Sequence, residues 1–128
     1  MANLHNYHGR YCEAEFESTF LSYLEEAGWS YLAGSSLPRS SMRDVLYTDD
    51  MEFFLNRTNP DLTADEIQQI MDTVRLAGAE SDFATLHKVY DWMVNGIQFT
   101  PQAALPRMVN LIEFEDPEKN VFRAVNQF

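Results

Sequence analysis

Apolar positions recur with one period up to Gly96 and with another beyond it. From about Glu13 to Ala27 they fall at helical spacing, with Phe20, Leu24 and Ala27 on one stripe, Phe16 and Leu21 at its edges, and Gly28 as the stop. Gly28 to Arg43 reads as loop, broken by Gly34-Ser35-Ser36 and Pro38, with a short extended piece at Asp44–Tyr47. Thr48 is placed to cap a helix from about Asp49 to Arg57 that turns Met51, Phe54 and Leu55 inward, its early acids suiting the helix dipole, and Asn59-Pro60 ends it. Thr63 with Glu66 three places on forms a capping box, opening a helix to about Leu76 with Ile67, Ile70, Met71 and Val74 as its inner stripe. A further helix, about Asp82 to Val94, is expected to bury Phe83, Leu86, Tyr90 and Met93 and to leave through Asn95-Gly96.

After Gly96 the period is 2. Ile97–Thr100 reads as a short strand and Pro101–Pro106 as a loop. Val109–Phe128 reads as a β-hairpin whose turn opens at Asp116-Pro117 and closes at a left-handed Asn120. On its first arm Met108, Ile112 and Phe114 lie on one side and Val109 and Leu111 on the other, so cover is expected on both. Helices first and strands last predict an α+β fold, with N-terminal helices packed on a small, mostly antiparallel C-terminal sheet.

Two carboxylates sit where that pattern does not want charge. Glu17 falls in the middle of the first helix's apolar stripe, with Glu13 one turn earlier, whereas Glu15, Glu25 and Glu26 project outward. An inward carboxylate either reaches water or an arginine such as Arg39 or Arg43, or it edges a site, because burying it unpaired is costly. Glu113 follows Leu111-Ile112 on the expected covered strand; it emerges near the turn or sits beside a site.

At 128 residues the chain is the size of one domain, with 1–11 as a mobile tail. Its apolar fraction of 45% excludes general disorder, and no run approaches membrane-spanning length. The start lacks the form of a signal peptide, and one cysteine precludes an internal disulfide, which together point to the cytoplasm. Nine basic residues face twenty acidic ones, a net charge of −11 with no basic cluster, so tight binding of nucleic acid by this stretch alone is not expected. His5, His8 and Cys12 lack a fourth metal ligand. His87 has no nucleophile or acid paired with it, and Trp29 and Trp92, without interleaved basic residues, read as packing. A phosphate loop ending in Lys-Ser or Lys-Thr is absent, so no ATP site is expected here.

The run Leu111-Ile-Glu-Phe-x-x-Pro-x-x-Asn-x-Phe-x-x-Val-Asn-Gln-Phe128 resembles the N-terminal nuclease region of type I restriction enzyme R subunits. Glu17 through Gly28-Trp29, Leu55-Asn-Arg-x-Asn-Pro-x-Leu-Thr63, and Leu86 through Asn95-Gly96-Ile97 agree with it in order and spacing. The resemblance implies a nuclease domain of the PD-(D/E)xK type, incomplete here because the family's aspartate and Glu-x-Lys lie beyond Phe128. It further implies that Glu17 is the helix glutamate near a Mg²⁺ site and that Glu113 is a supporting acid. Mg²⁺, ATP and DNA would be bound by the full-length parent, in a complex with methyltransferase and specificity subunits, and this chain alone would be inert with no cofactor. The alternative is a free-standing acidic module of the same descent that docks a protein partner on the strand ending at Phe128.

Overall fold

The computed structural model describes residues 12–37, 46–79 and 81–126. His5, His8, Arg39, Arg43 and the expected tail lie outside them. The fold is α+β, and its chain divides into two compact units, one drawn from both ends and the other from Leu46–Val121.

The end-derived unit holds helix α1 (Glu13–Glu26), strand β1 (Ser30–Ala33) and strand β4 (Arg123–Asn126). A 3-10 turn at Gly34–Ser36 follows β1. Strands β1 and β4 pair in parallel, with Tyr31 opposite Ala124 and Ala33 opposite Asn126. The ladder is entered through a hydrogen bond from the Ser30 amide to the Phe122 carbonyl, beside which Trp29 meets the Phe122 ring edge-on at 5.3 Å. Trp29 therefore packs, as its sequence surroundings suggest.

In the Leu46–Val121 unit, helices α2 (Thr48–Thr58), α3 (Ala64–Arg75) and α4 (Asp82–Asn95) accompany an antiparallel pair, β2 (Ile97–Phe99) with β3 (Arg107–Val109). The core is Phe54, Leu55, Leu62, Ile67, Ile70, Met71, Ile97 and Val109. The capping box forms as expected: Thr63 Oγ1 accepts from the Glu66 amide, and Glu66 Oε1 accepts from the Thr63 amide. The stretch from Leu55 to Thr63 is a structural lock. Leu55 and Leu62 are core, Asn59 Nδ2 donates to the Leu55 carbonyl, and Arg107 holds Asp61 through two hydrogen bonds, the shorter 2.7 Å, while also donating to Asn59 Oδ1. Arg57 donates to the carbonyls of Glu118, Lys119 and Asn120.

Several expectations are corrected. The final hairpin does not form, because β3 and β4 each pair with an earlier strand instead of with each other. Asp116-Pro117 does turn the chain, into a 3-10 turn at Pro117–Lys119. Asn120, however, is extended at φ −71° and acts through its side chain, its carboxamide bonding both the amide and the carbonyl of Glu113 at 2.8 Å. A side chain thus supplies the two bonds that a strand partner would have made. Helix α4 buries none of its residues: Phe83 and Leu86 are 81% and 71% exposed, and Tyr90 and Met93 are exposed too, while Trp92 packs on the core. Thr48 starts α2 inside the helix, with Tyr47 as the cap and no side-chain bond. Of Asp44–Tyr47 only Leu46 and Tyr47 are described, and neither is in a strand.

The lock also predicts acid behaviour. The hydrogen bond from Arg107 holds the Asp61 carboxyl below its ordinary pKa, and backbone amides of Thr63 and Gln102 do the same for Glu66. A depressed folded-state value means stabilisation that is present above the unfolded pKa and is lost as pH falls through the folded one. Urea midpoints should therefore hold from neutrality to about pH 4.5 and fall below it. The paired substitution Asp61→Asn with Glu66→Gln should flatten the acid limb, and an unchanged limb would refute the assignment.

Candidate functional site

Helix α1 lies against β1, and the stripe that it presents to a shallow cleft is Ala14, Glu17, Ser18, Leu21, Ser22 and Glu25. Those positions recur at i+3 and i+4, one continuous line along the helix. The helix is rotated by about a quarter turn from the phase that its aromatic residues suggest. Phe16, Phe20 and Tyr23 are exposed accordingly, with Phe16 and Phe20 stacked at 6.5 Å. Glu25, expected outward, lines the cleft. Glu15, also expected outward, is buried with 6% exposure, and its Oε2 has no hydrogen-bond partner among the described residues.

The opposite wall comes from the parallel pair. Successive strand side chains alternate faces, so Trp29 and Tyr31 share a side of the sheet, as do Phe122, Ala124 and Asn126. Ala124 is buried, and at the end of this face the Tyr31 hydroxyl donates to Asn126 Oδ1 at 2.9 Å. Tyr31 and Asn126 complete the cleft, whose volume is about 190 Å³. Glu17, half-buried, thus lies in one cleft with residues from β1 and β4. Sequence reasoning passed over Tyr31 because Gly28–Arg43 reads as loop. The signal for Asn126 was its place inside the quoted C-terminal run.

Glu113 lies in the Leu46–Val121 unit and not on a strand. Its Oε1 accepts from the amides of Glu115 and Asp116, at 2.9 and 3.3 Å, so this carboxylate ties down its own turn. Glu13 is exposed at the start of α1, Cys12 is a free thiol at its cap position, and His87 is exposed on α4.

Among the described residues no group of three or more His, Cys, Asp or Glu side chains converges to hold a metal ion. With Glu17 and Glu25 the only carboxylates lining it among the described residues, the cleft does not by itself fit a Mg²⁺ centre. No described helix is long and apolar enough to cross a membrane.

Comparison with known proteins agrees with the resemblance that the C-terminal run carries. A protein of Methanocaldococcus jannaschii bearing the description type I restriction enzyme MjaIXP endonuclease subunit is 30% identical over 121 residues, which cover 88% of this chain and 12% of that protein. No solved structure matches. Residues 10–128 match the family described as type I restriction enzyme R protein N terminus, and the chain belongs to that family.

Proposed function

We propose that this chain forms the entrance to the nuclease region of an R subunit, in a parent that cleaves DNA with Mg²⁺ and moves along it with ATP. Methyltransferase and specificity subunits would be the parent's partners, in the cytoplasm. The observation that supports this reading is a cleft that Glu17, Tyr31 and Asn126 share, of which Glu17 and Asn126 come from two of the stretches that carry the family resemblance. Glu17 is the group in it suited to chemistry. A half-buried carboxylate facing a groove accepts a hydrogen bond from water and orients the oxygen lone pair for attack. The sequence holds no aspartate followed at hairpin spacing by Glu-x-Lys, so the isolated 128 residues should not cut DNA, and reproducible Mg²⁺-dependent cutting by them would contradict the proposal.

The decisive test places Glu17→Gln in the full-length R subunit, assembled with its partners. Glutamine keeps the shape and removes the charge. DNA cleavage should fall on the order of 10²-fold while ATP hydrolysis stays at the wild-type rate. Cleavage at the wild-type rate would remove Glu17 from the site.

A further inference from the structure

We propose that Asn126 is a substrate-binding residue of this cleft, with its Nδ2 donating to a non-bridging oxygen of the DNA phosphodiester, and that Tyr31 is the positioning residue that aims it. The inference rests on the nuclease reading and deepens it.

The argument starts from charge. Among the described residues no lysine, arginine or histidine lines the cleft, and two carboxylates do, so a phosphodiester entering it meets repulsion. Among the described residues, only neutral donors can meet the phosphate oxygens there. Ser22 has spent its hydroxyl proton on the Ser18 carbonyl, and Tyr31 has spent its own on Asn126. Two side chains keep donors to offer: Ser18, with one rotatable hydroxyl, and Asn126, whose Oδ1 is engaged at 2.9 Å and whose Nδ2, with two N–H groups, has no partner among the described residues, so that of the two only Asn126 is held in place.

The Tyr31 bond decides what those donors are worth. A free carboxamide turns between two broad orientations about its last torsion, presenting oxygen as readily as nitrogen. Oxygen turned toward a phosphate would add repulsion. With the Tyr31 hydroxyl fixed on Oδ1, the plane is set and the nitrogen faces away from that bond. Tyr31 is itself fixed through the parallel ladder, where its residue pairs with Ala124 two places before Asn126. A donor oriented beforehand stabilises developing charge far better than one that must reorganise.

The test uses the full-length R subunit in its assembled complex, with single-turnover cleavage, DNA affinity and ATP hydrolysis as separate readouts. Asn126→Asp keeps the shape and replaces the donor by an acceptor. Cleavage of bound DNA should slow on the order of 10²-fold, with ATP hydrolysis and thermal unfolding unchanged. Tyr31→Phe keeps the ring and frees the carboxamide. Its cleavage should slow about 3- to 10-fold at unchanged DNA affinity, a split that lost packing would not produce. Should the Asn126 variant fail to fold, Tyr31→Phe decides alone. Wild-type cleavage by either variant, in a preparation where Glu17→Gln is slow, would overturn this inference and leave the nuclease reading standing. Wild-type cleavage by all three would overturn both.

Discussion

Replacing Gly96 by alanine is expected to destabilise the Leu46–Val121 unit by about 3 kcal/mol or more. Two costs add. Gly96 sits at φ 87° and ψ 178°, a backbone region that is almost closed to residues with a Cβ. An alanine Cβ would also stand 2.7 Å from the Val109 carbonyl oxygen and 3.1 Å from Asn110 Oδ1. The first of these is backbone, in the rung where Ile97 pairs with Val109, both of them core residues, so it cannot swing aside. Either β2 and β3 separate or α4 loses its exit. Urea unfolding of Gly96→Ala followed by far-ultraviolet circular dichroism should show a much lower midpoint. A variant within about 0.5 kcal/mol of wild type would mean that the close approach is not real.

Elements whose signals are local were legible in the sequence. Thr63 and Glu66 announced their own helix start, Gly96 its exit, and Asp116-Pro117 its turn, because a cap or a turn is decided by neighbours a few residues away. Strand pairing was not legible. Ser30–Ala33 is too short to alternate convincingly, and its partner lies more than ninety residues later, at Arg123–Asn126. Nothing in either run reports the other. The final hairpin failed for the same reason. Each arm looked like a strand, but where a strand finds its ladder is a tertiary matter, and Asn120 closes the intervening loop with its side chain.

Helix phase was the second failure, and it governs the site. Reading apolar residues as inward assumes that enough surface exists to cover them all, whereas folded proteins leave much apolar surface in water. Glu17 stood out as a charge on an apolar stripe and does line the cleft, but its companions there are Ser18, Leu21 and Ser22 rather than Phe20. Glu15, assigned to solvent by the same count, is buried. Tyr31 and Asn126 meet only because a parallel pairing joins the two ends of the chain, so no window along the sequence holds both.

Leu55→Ala should be the most damaging of the single core truncations, costing about 3–4 kcal/mol, while Phe83→Ala should change stability by less than about 0.5 kcal/mol. Composition and helical spacing rank these two changes alike. Their surroundings do not: Leu55 is fully buried among the core residues, and Phe83 is 81% exposed. The cavity left at Leu55 would resist collapse, because the turn carrying it is held from both sides. Asn59 returns two hydrogen bonds to the Leu55 carbonyl, and Arg57 anchors the same helix end to the carbonyls of residues 118–120. A wall that cannot move in places the cost toward the upper part of the range for such truncations. For a unit of this size that is a third or more of a typical folding free energy, enough to lower the thermal midpoint by more than about 10 °C. Equal losses for Leu55→Ala and Phe83→Ala would mean that α4 packs through its aromatic stripe after all, and the phase of that helix would have to be redrawn.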